Sequence, residues 1–327
     1  MQTQFSFEGA LSNAFRAAHV RSFPWLFAAA YAIAFTLFGF LIAFLAKDAF
    51  LAVADGFERL TASDFDESDP RAMLGLMFGM LAPLIPWGIT ASLGSWAIWA
   101  MFESASQRRY VRDEHFSLRF GADELRMMAV GFFWSLFYIV CFGLPGLMVF
   151  NGMVGMLDIA ASDLTENEVA RRILPVVFGS MGLILLILPV YVFFATRLAP
   201  CFAMTIKDRR IVFFDAWNVS RGRFWPILGA FVILSIGGSV VASIVSQVLQ
   251  VGIMMPFMGG IDDVESADDL FRIILSPTFL VPLAVYALGR LFMSGLLQHF
   301  TGAPAAFAAR HDPRGGVDDA ARMAVFD

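Results

Sequence analysis

Charge is what this sequence has least of. Of its 327 residues only 16% are Asp, Glu, Lys or Arg, against about a quarter in soluble domains. Cysteine is nearly absent: Cys141 and Cys201 are the two thiols. They form no CxxC pair, so neither a disulfide framework nor a cysteine-built zinc site is expected. The four histidines, His19, His115, His299 and His311, are solitary, and none stands at HExxH spacing. A metal site would have to be assembled from residues far apart in the chain, and no cofactor is expected. No GxxxxGK(S/T), GxGxxG or GxSxG occurs, which leaves nucleotide binding and α/β-hydrolase chemistry without support. With a net charge of −5 and acids interleaved among the bases, nucleic acid is not an expected partner.

What the sequence does have is apolar residues, 58% of the total, including 36 Phe, with a mean hydropathy of +0.70. That composition suits a chain solvated by lipid. Six apolar stretches reach the roughly 20 residues needed to cross the hydrocarbon: Ser22–Ala46, Met73–Phe102, Met127–Phe150, Ile173–Thr196, Pro226–Met255 and Ile274–Phe300. The first is too long for the apolar core of a signal peptide and has no small-residue cleavage site before Lys47. The expected fold is therefore an all-α integral membrane protein with six transmembrane helices. Residues 1–310 would form the six-span domain and 311–327 a short tail.

Basic residues set the orientation. Of the 23 Lys and Arg, 16 lie in the N-terminus, Glu103–Arg126, Arg197–Trp225 and the C-terminal segment. Six lie in the three opposite loops, and Arg290 falls inside a span. Because basic loops stay in the cytoplasm, both termini are expected there. The opposite loops are acidic, as in "DFDESD" (Asp64–Asp69) and "DDVESADD" (Asp262–Asp269).

The stretch "FFDAWNVSRGRFWPILGAFVI" (Phe213–Ile233) passes from aromatic and basic to wholly apolar at Pro226. Read as a helix, Phe213, Ala216, Trp217, Ser220 and Phe224 share one face. Asp215, Asn218, Arg221 and Gly222 share the other. This predicts an interfacial elbow whose aromatic side lies at headgroup depth while Arg221 and Arg223 stay in water and attract anionic lipid. A plain loop with anchoring aromatics is the alternative. Lipid or partner contact is accordingly assigned to Trp217, Arg221, Arg223, Phe224 and Trp225. The layout recurs in "FEGALSNAFRAAHVRSFPWLF" (Phe7–Phe27) and "FGADELRMMAVGFFW" (Phe120–Trp134). Three hairpin units, each preceded by a cytoplasmic interfacial helix, would follow.

"RLAPCFAMTIKDRRIVFFDAWNVSRGRFWPILG" (Arg197–Gly229) resembles the segment between spans four and five in a group of bacterial six-span proteins. That group includes the membrane domain attached to some glycerophosphodiester phosphodiesterases. The resemblance rests on the Arg197–Pro200 exit, the central Ala216–Trp217 and the Arg221–Trp225 run, with Ala216 standing where Ser is usual. It implies a bacterial cytoplasmic membrane location and transfers no catalytic residues, because the hydrolase domain is a separate barrel of roughly 250 residues.

Three further features need weighing. "GLMFG" (Gly75–Gly79) is a GxxxG that permits close helix contact, with packing inside the chain as the default. Prolines 83, 86, 145, 189, 277 and 282 would kink or break spans. Arg290 lies nine positions before His299, roughly 13 Å along a helix, so it should find an acceptor or water and is a functional-site candidate. Two readings follow. In the first, a non-enzymatic membrane protein engages anionic lipid headgroups, a membrane partner or a second copy through its elbows. In the second, a transporter or lipid translocator uses the proline-kinked spans and Arg290.

Overall fold

The structure, a computed structural model, describes residues 5–15, 22–62, 70–160, 166–261 and 276–312. Its elements are α1 (Phe7–Ser12), α2 (Phe23–Leu45), α3 (Lys47–Ala62), α4 (Pro70–Leu81), α5 (Ile85–Arg112), α6 (Ala122–Ala160), α7 (Glu166–Leu198), α8 (Cys201–Asp208), α9 (Ala216–Ser220), α10 (Phe224–Ile261) and α11 (Pro277–Arg310). Six helices are long and apolar enough to span a membrane: Phe23–Leu45, Gly75–Arg112, Ala122–Gly152, Asn167–Asp208, Phe224–Gly252 and Pro277–Arg310. The chain is an all-α, multi-pass membrane protein.

Local chemistry explains where these helices start and break. Ser6 caps α1, its hydroxyl accepting from the Gly9 amide at 3.0 Å. At the start of α6 the Glu124 carboxylate reaches back to accept from the Gly121 amide at 2.9 Å, half of a capping box. Pro83 and Pro86 remove two backbone donors, and the second span passes through a 3₁₀ turn, Ala82–Leu84, between α4 and α5. Between α9 and α10 the turn needs φ +76° at residue 222, which glycine supplies without strain.

The cytoplasmic helix expected before each hairpin is present twice. Alpha-helix α1 precedes the first span, and α8 and α9 precede the fifth. Before the third span the chain runs through non-helical residues 113–121 directly into α6. The acidic loops at 64–69 and 262–269, His19, and residues 313–327 of the tail lie outside the described residues. The structured part continues past the expected boundary at 310, since Asp312 is buried and accepts from Lys207 Nζ at 3.1 Å.

The chain divides into two compact units. The first comprises Met1–Phe38, Ser95–Val130 and Thr196–Asp327. Its core is made of Val111, Met127, Met204, Ile206, Val219 and Ile227 with a large complement of alanine, all nearly or fully buried. Within it α10 and α11 pack closely: a Cβ on Gly238 would strike Leu297, and one on Gly289 would strike Leu249.

The second unit comprises Gly39–Gly94 and Gly131–Ala195. Its described side chains are mostly apolar and mostly exposed, including Val140, Leu147, Phe178 and Leu186. Helices α6 and α7 meet where Gly152 abuts Val176 and where Phe137 stacks on Tyr191 at 5.6 Å. The GxxxG of α4 is expected to pack inside the chain. Among the described residues a Cβ on Gly75 or Gly79 meets nothing within 4 Å.

Candidate functional site

The elbow forms, but its aromatic face points the other way. Ala216–Ser220 is a helix of five residues, and Phe213, Ala216 and Ser220 are buried in the first unit. Trp217 and Phe224 hold Arg197 between them, with the guanidinium 5.3 and 5.6 Å from the two ring centres. Arg197 also donates to the Ser220 carbonyl at 2.8 Å, and the Ser220 hydroxyl donates to the Arg197 carbonyl at 2.9 Å. The apolar stripe is real; what it meets is the end of α7.

Arg223 is corrected in the same way. It is half-buried, lies over the Phe5 ring at 5.1 Å, and donates to the carbonyls of His311 at 2.6 Å and Ala308 at 3.5 Å. These are carbonyls at the C-terminal end of α11, where a cation complements the helix dipole. Burial lowers the pKa of this guanidinium while Asp312 opposes the shift. The group still stays charged at any physiological pH.

Two of the five assigned elbow residues remain outward. Arg221 is exposed and meets no acceptor among the described residues, and Trp225 is 75% exposed. Phe214, 77% exposed, and Ile211 are outward in the same chain segment. Arg210 is also exposed but is paired with Asp215 at 2.9 Å. The segment therefore exposes aromatic and aliphatic side chains together with one uncompensated cation.

Behind the elbow lies a buried polar network that the sequence did not announce. Glu103 accepts from the amides of Gln107 at 2.8 Å and Gln298 at 2.9 Å. His299, fully buried, bonds through Nδ1 to the Ser106 hydroxyl at 2.8 Å and through Nε2 to the Tyr110 hydroxyl at 3.3 Å. The Tyr110 proton goes to the His299 carbonyl at 3.0 Å. Nε2 must then donate to Tyr110 and Nδ1 accept from Ser106, which describes a neutral imidazole. Its ring is enclosed by Tyr110, Phe23 and Phe27, with centroids 4.8, 5.0 and 5.4 Å away.

Arg108, also buried, pairs with Glu124 and donates to the Ser117 carbonyl at 3.1 Å. Arg112 joins Asp123 at 2.8 Å and the Ile206 carbonyl. Every charge in this layer is met by a countercharge or a hydrogen bond, so the network fixes the ends of α5, α6, α8 and α11 together. Its outer members, Arg112 and Asp123, are 16% and 12% exposed. Among the described residues no group of three or more His, Cys, Asp or Glu could hold a metal ion. A sequence signal existed for part of it: Glu103 and Gln107 stand one helical turn apart immediately beyond an apolar run.

Arg290 is placed differently from both. It is exposed on α11, and among the described residues its hydrogen-bond partner is the Tyr286 hydroxyl at 3.1 Å. Ser294 donates to the Arg290 carbonyl at 2.9 Å. Tyr286, Arg290, Ser294 and Gln298 thus stand at successive intervals of four on one face, a polar line that ends at Glu103.

No family model, no curated protein and no solved structure matches this chain.

Proposed function

We propose that this is a non-enzymatic protein of the bacterial cytoplasmic membrane that holds anionic lipid at its cytoplasmic surface. The observation that carries the reading is the exposure of Ile211, Phe214, Arg221 and Trp225 within one short segment. Aromatic rings favour the headgroup layer, and an uncompensated arginine beside them attracts negative charge. Trp217, Phe224 and Arg223 contribute by fixing the segment rather than by touching lipid. The buried polar network serves the same end: its charges meet countercharges or hydrogen bonds, which suits a scaffold.

The test uses the whole protein in nanodiscs that contain both phosphatidylglycerol and phosphatidylcholine. Native mass spectrometry should find phosphatidylglycerol retained preferentially. Arg221→Gln should weaken that preference by about 1 kcal/mol, the value of one basic residue near an anionic surface. Trp225→Ala should weaken retention of both lipids. Equal retention of the two lipids by the unaltered protein would sink the reading.

The orientation is tested separately. With Cys141 and Cys201 replaced, single cysteines at Ser68 and Ser266 should react with an impermeant reagent on intact cells. Reaction only after permeabilisation would reverse the topology.

A second reading, lipid translocation, is favoured by one observation: the Arg290 guanidinium engages Tyr286, one turn nearer Pro277, and so lies away from the packed base instead of reaching back to it. A cation placed there serves no purpose at either surface.

A further inference from the structure

We propose that Arg290 and Tyr286 form an anion site within the bilayer that takes the phosphate of an anionic phospholipid. The inference deepens the translocation reading, on which it rests for the purpose of the site but not for whether the site binds.

Position comes first. Arg290 lies thirteen residues after Pro277 and nine before His299 on α11, roughly 20 and 13 Å along the axis. Helical side chains tilt toward the N-terminus of their helix, here toward Pro277, and the bond to Tyr286 shows Arg290 doing so. The guanidinium is therefore carried toward the middle of the span. A charge held there needs an acceptor.

Donor chemistry then selects the ligand. The guanidinium has five N–H groups and no acceptor. One N–H is used on Tyr286, whose phenolic oxygen is thereby occupied and whose own proton is left to donate. Ser294 spends its proton on the Arg290 carbonyl and Gln298 its amide on Glu103. What remains is a set of donors on one exposed helix face, converging one turn apart. Its complement is a group that accepts only, with oxygens spaced for a bidentate guanidinium: a phosphate.

The source follows from the surroundings. No Asp or Glu occurs in 23–45, 75–102, 127–150, 173–196, 224–261 or 277–309. A second copy of the chain therefore has no carboxylate to offer at this depth, and its own arginine would repel. On the same face of α11, seven residues before Arg290, Leu283 is exposed, an apolar neighbour suited to acyl chains. A phosphate with acyl chains attached satisfies both the donors and their apolar neighbour.

The experiment is native mass spectrometry of the whole protein taken from nanodiscs of phosphatidylglycerol and phosphatidylcholine. An Arg221→Gln background removes the surface contribution. Arg290→Leu should lose one retained phosphatidylglycerol, with affinity falling roughly tenfold or more, as for a charge-assisted hydrogen bond. Arg290→Lys should bind weakly because the fork is gone, and Tyr286→Phe should weaken retention roughly fivefold.

Retention unchanged in both Arg290→Leu and Tyr286→Phe would overturn the site. Should Arg290→Leu fail to fold, Tyr286→Phe alone decides, since it removes only a hydroxyl. Inorganic phosphate that displaces the lipid at equal concentration would overturn the lipid as the occupant. Flipping of fluorescent phosphatidylglycerol in liposomes is measured alongside: binding without flipping ends the translocation reading and leaves the site standing.

Discussion

The two units of this chain both expose apolar side chains but differ in what they bury. In the first, Arg108, Gln107, Glu103 and His299 are buried, while alanines and medium-sized aliphatics fill the space between them. In the second, Leu186, Val140, Phe178 and Leu147 are exposed, and the buried described residues are few and small or weakly polar: Ala46, Gly131, Pro145 and Ser180. Where helices of the first unit continue beyond the apolar spans, burial must be won against water, and the charged groups there enter with partners. In the second the surroundings are lipid, which is as apolar as leucine, and helices gain little by hiding such side chains from it. Exposed leucine is a defect in one solvent and ordinary in the other.

This contrast can be broken most forcefully at Arg108. Removing it by Arg108→Ala leaves Glu124 buried without its countercharge and should cost about 3–5 kcal/mol. Thermal unfolding in mild detergent should show a lower midpoint and loss of the monodisperse species. Arg108→Met together with Glu124→Leu should recover much of that loss, because a packed apolar pair often replaces a buried ion pair at little cost.

A matched pair of truncations sharpens the comparison. Ile206, fully buried in the first unit, should lose about 2–5 kcal/mol as Ile206→Ala. Leu186, 74% exposed in the second, should barely move the midpoint as Leu186→Ala. Equal losses would mean that the second unit's face is packed against a protein surface and not solvated by lipid.

Glycines offer a smaller version of the same test. A Cβ on Gly302 would lie 2.8 Å from Gln107 Nε2, so Gly302→Ala should cost about 1–3 kcal/mol by overpacking. Gly75 has open space, and Gly75→Ala should be neutral or gain up to about 1 kcal/mol of helix propensity. Smallest of all is Ser220→Ala, which loses the bond to the Arg197 carbonyl and should cost about 1 kcal/mol. A readout of proteolysis at the α9–α10 turn would report it locally.

The same contrast explains how much the sequence disclosed. All six spans were legible because lipid demands a long apolar run and nothing subtler. The helices overran the expected ends, the second to Arg112 and the sixth to Arg310, because α5 and α11 continue past their apolar runs as polar or alanine-rich helix packed within the first unit. Hydropathy stops registering a helix where protein replaces lipid as its surroundings. What the elbow's apolar face meets was hidden for a related reason. Spacing of Phe213, Trp217 and Phe224 identifies one apolar face, yet periodicity is silent on whether that face meets lipid or another helix. Arg223 read as a solvated cation because its acceptors, the Ala308 and His311 carbonyls, lie some 85 residues away in the chain. Arg290 was legible because a lone charge in an apolar run is conspicuous, but its direction along α11 required coordinates.

The joining of α1 to α11 sets an order on synthesis. Asn13 donates to the Ala303 carbonyl across 290 residues, and Gly9 lies so near Phe307 that a Cβ there would sit 2.6 Å from the ring. While a ribosome is still making the sixth span, the surface that receives α1 does not yet exist. All the hydropathy needed for insertion has by then been translated, because the turns that α1 grips follow Phe300. A nascent chain halted at that point would be threaded through the membrane and still open at its base, with Asn13 and Arg223 awaiting their carbonyl acceptors. Insertion is thus decided by the first three hundred residues, and the docking of α1 waits on the segment from Ala303 to Phe307. A cell's proteases would meet the open form until that segment emerges.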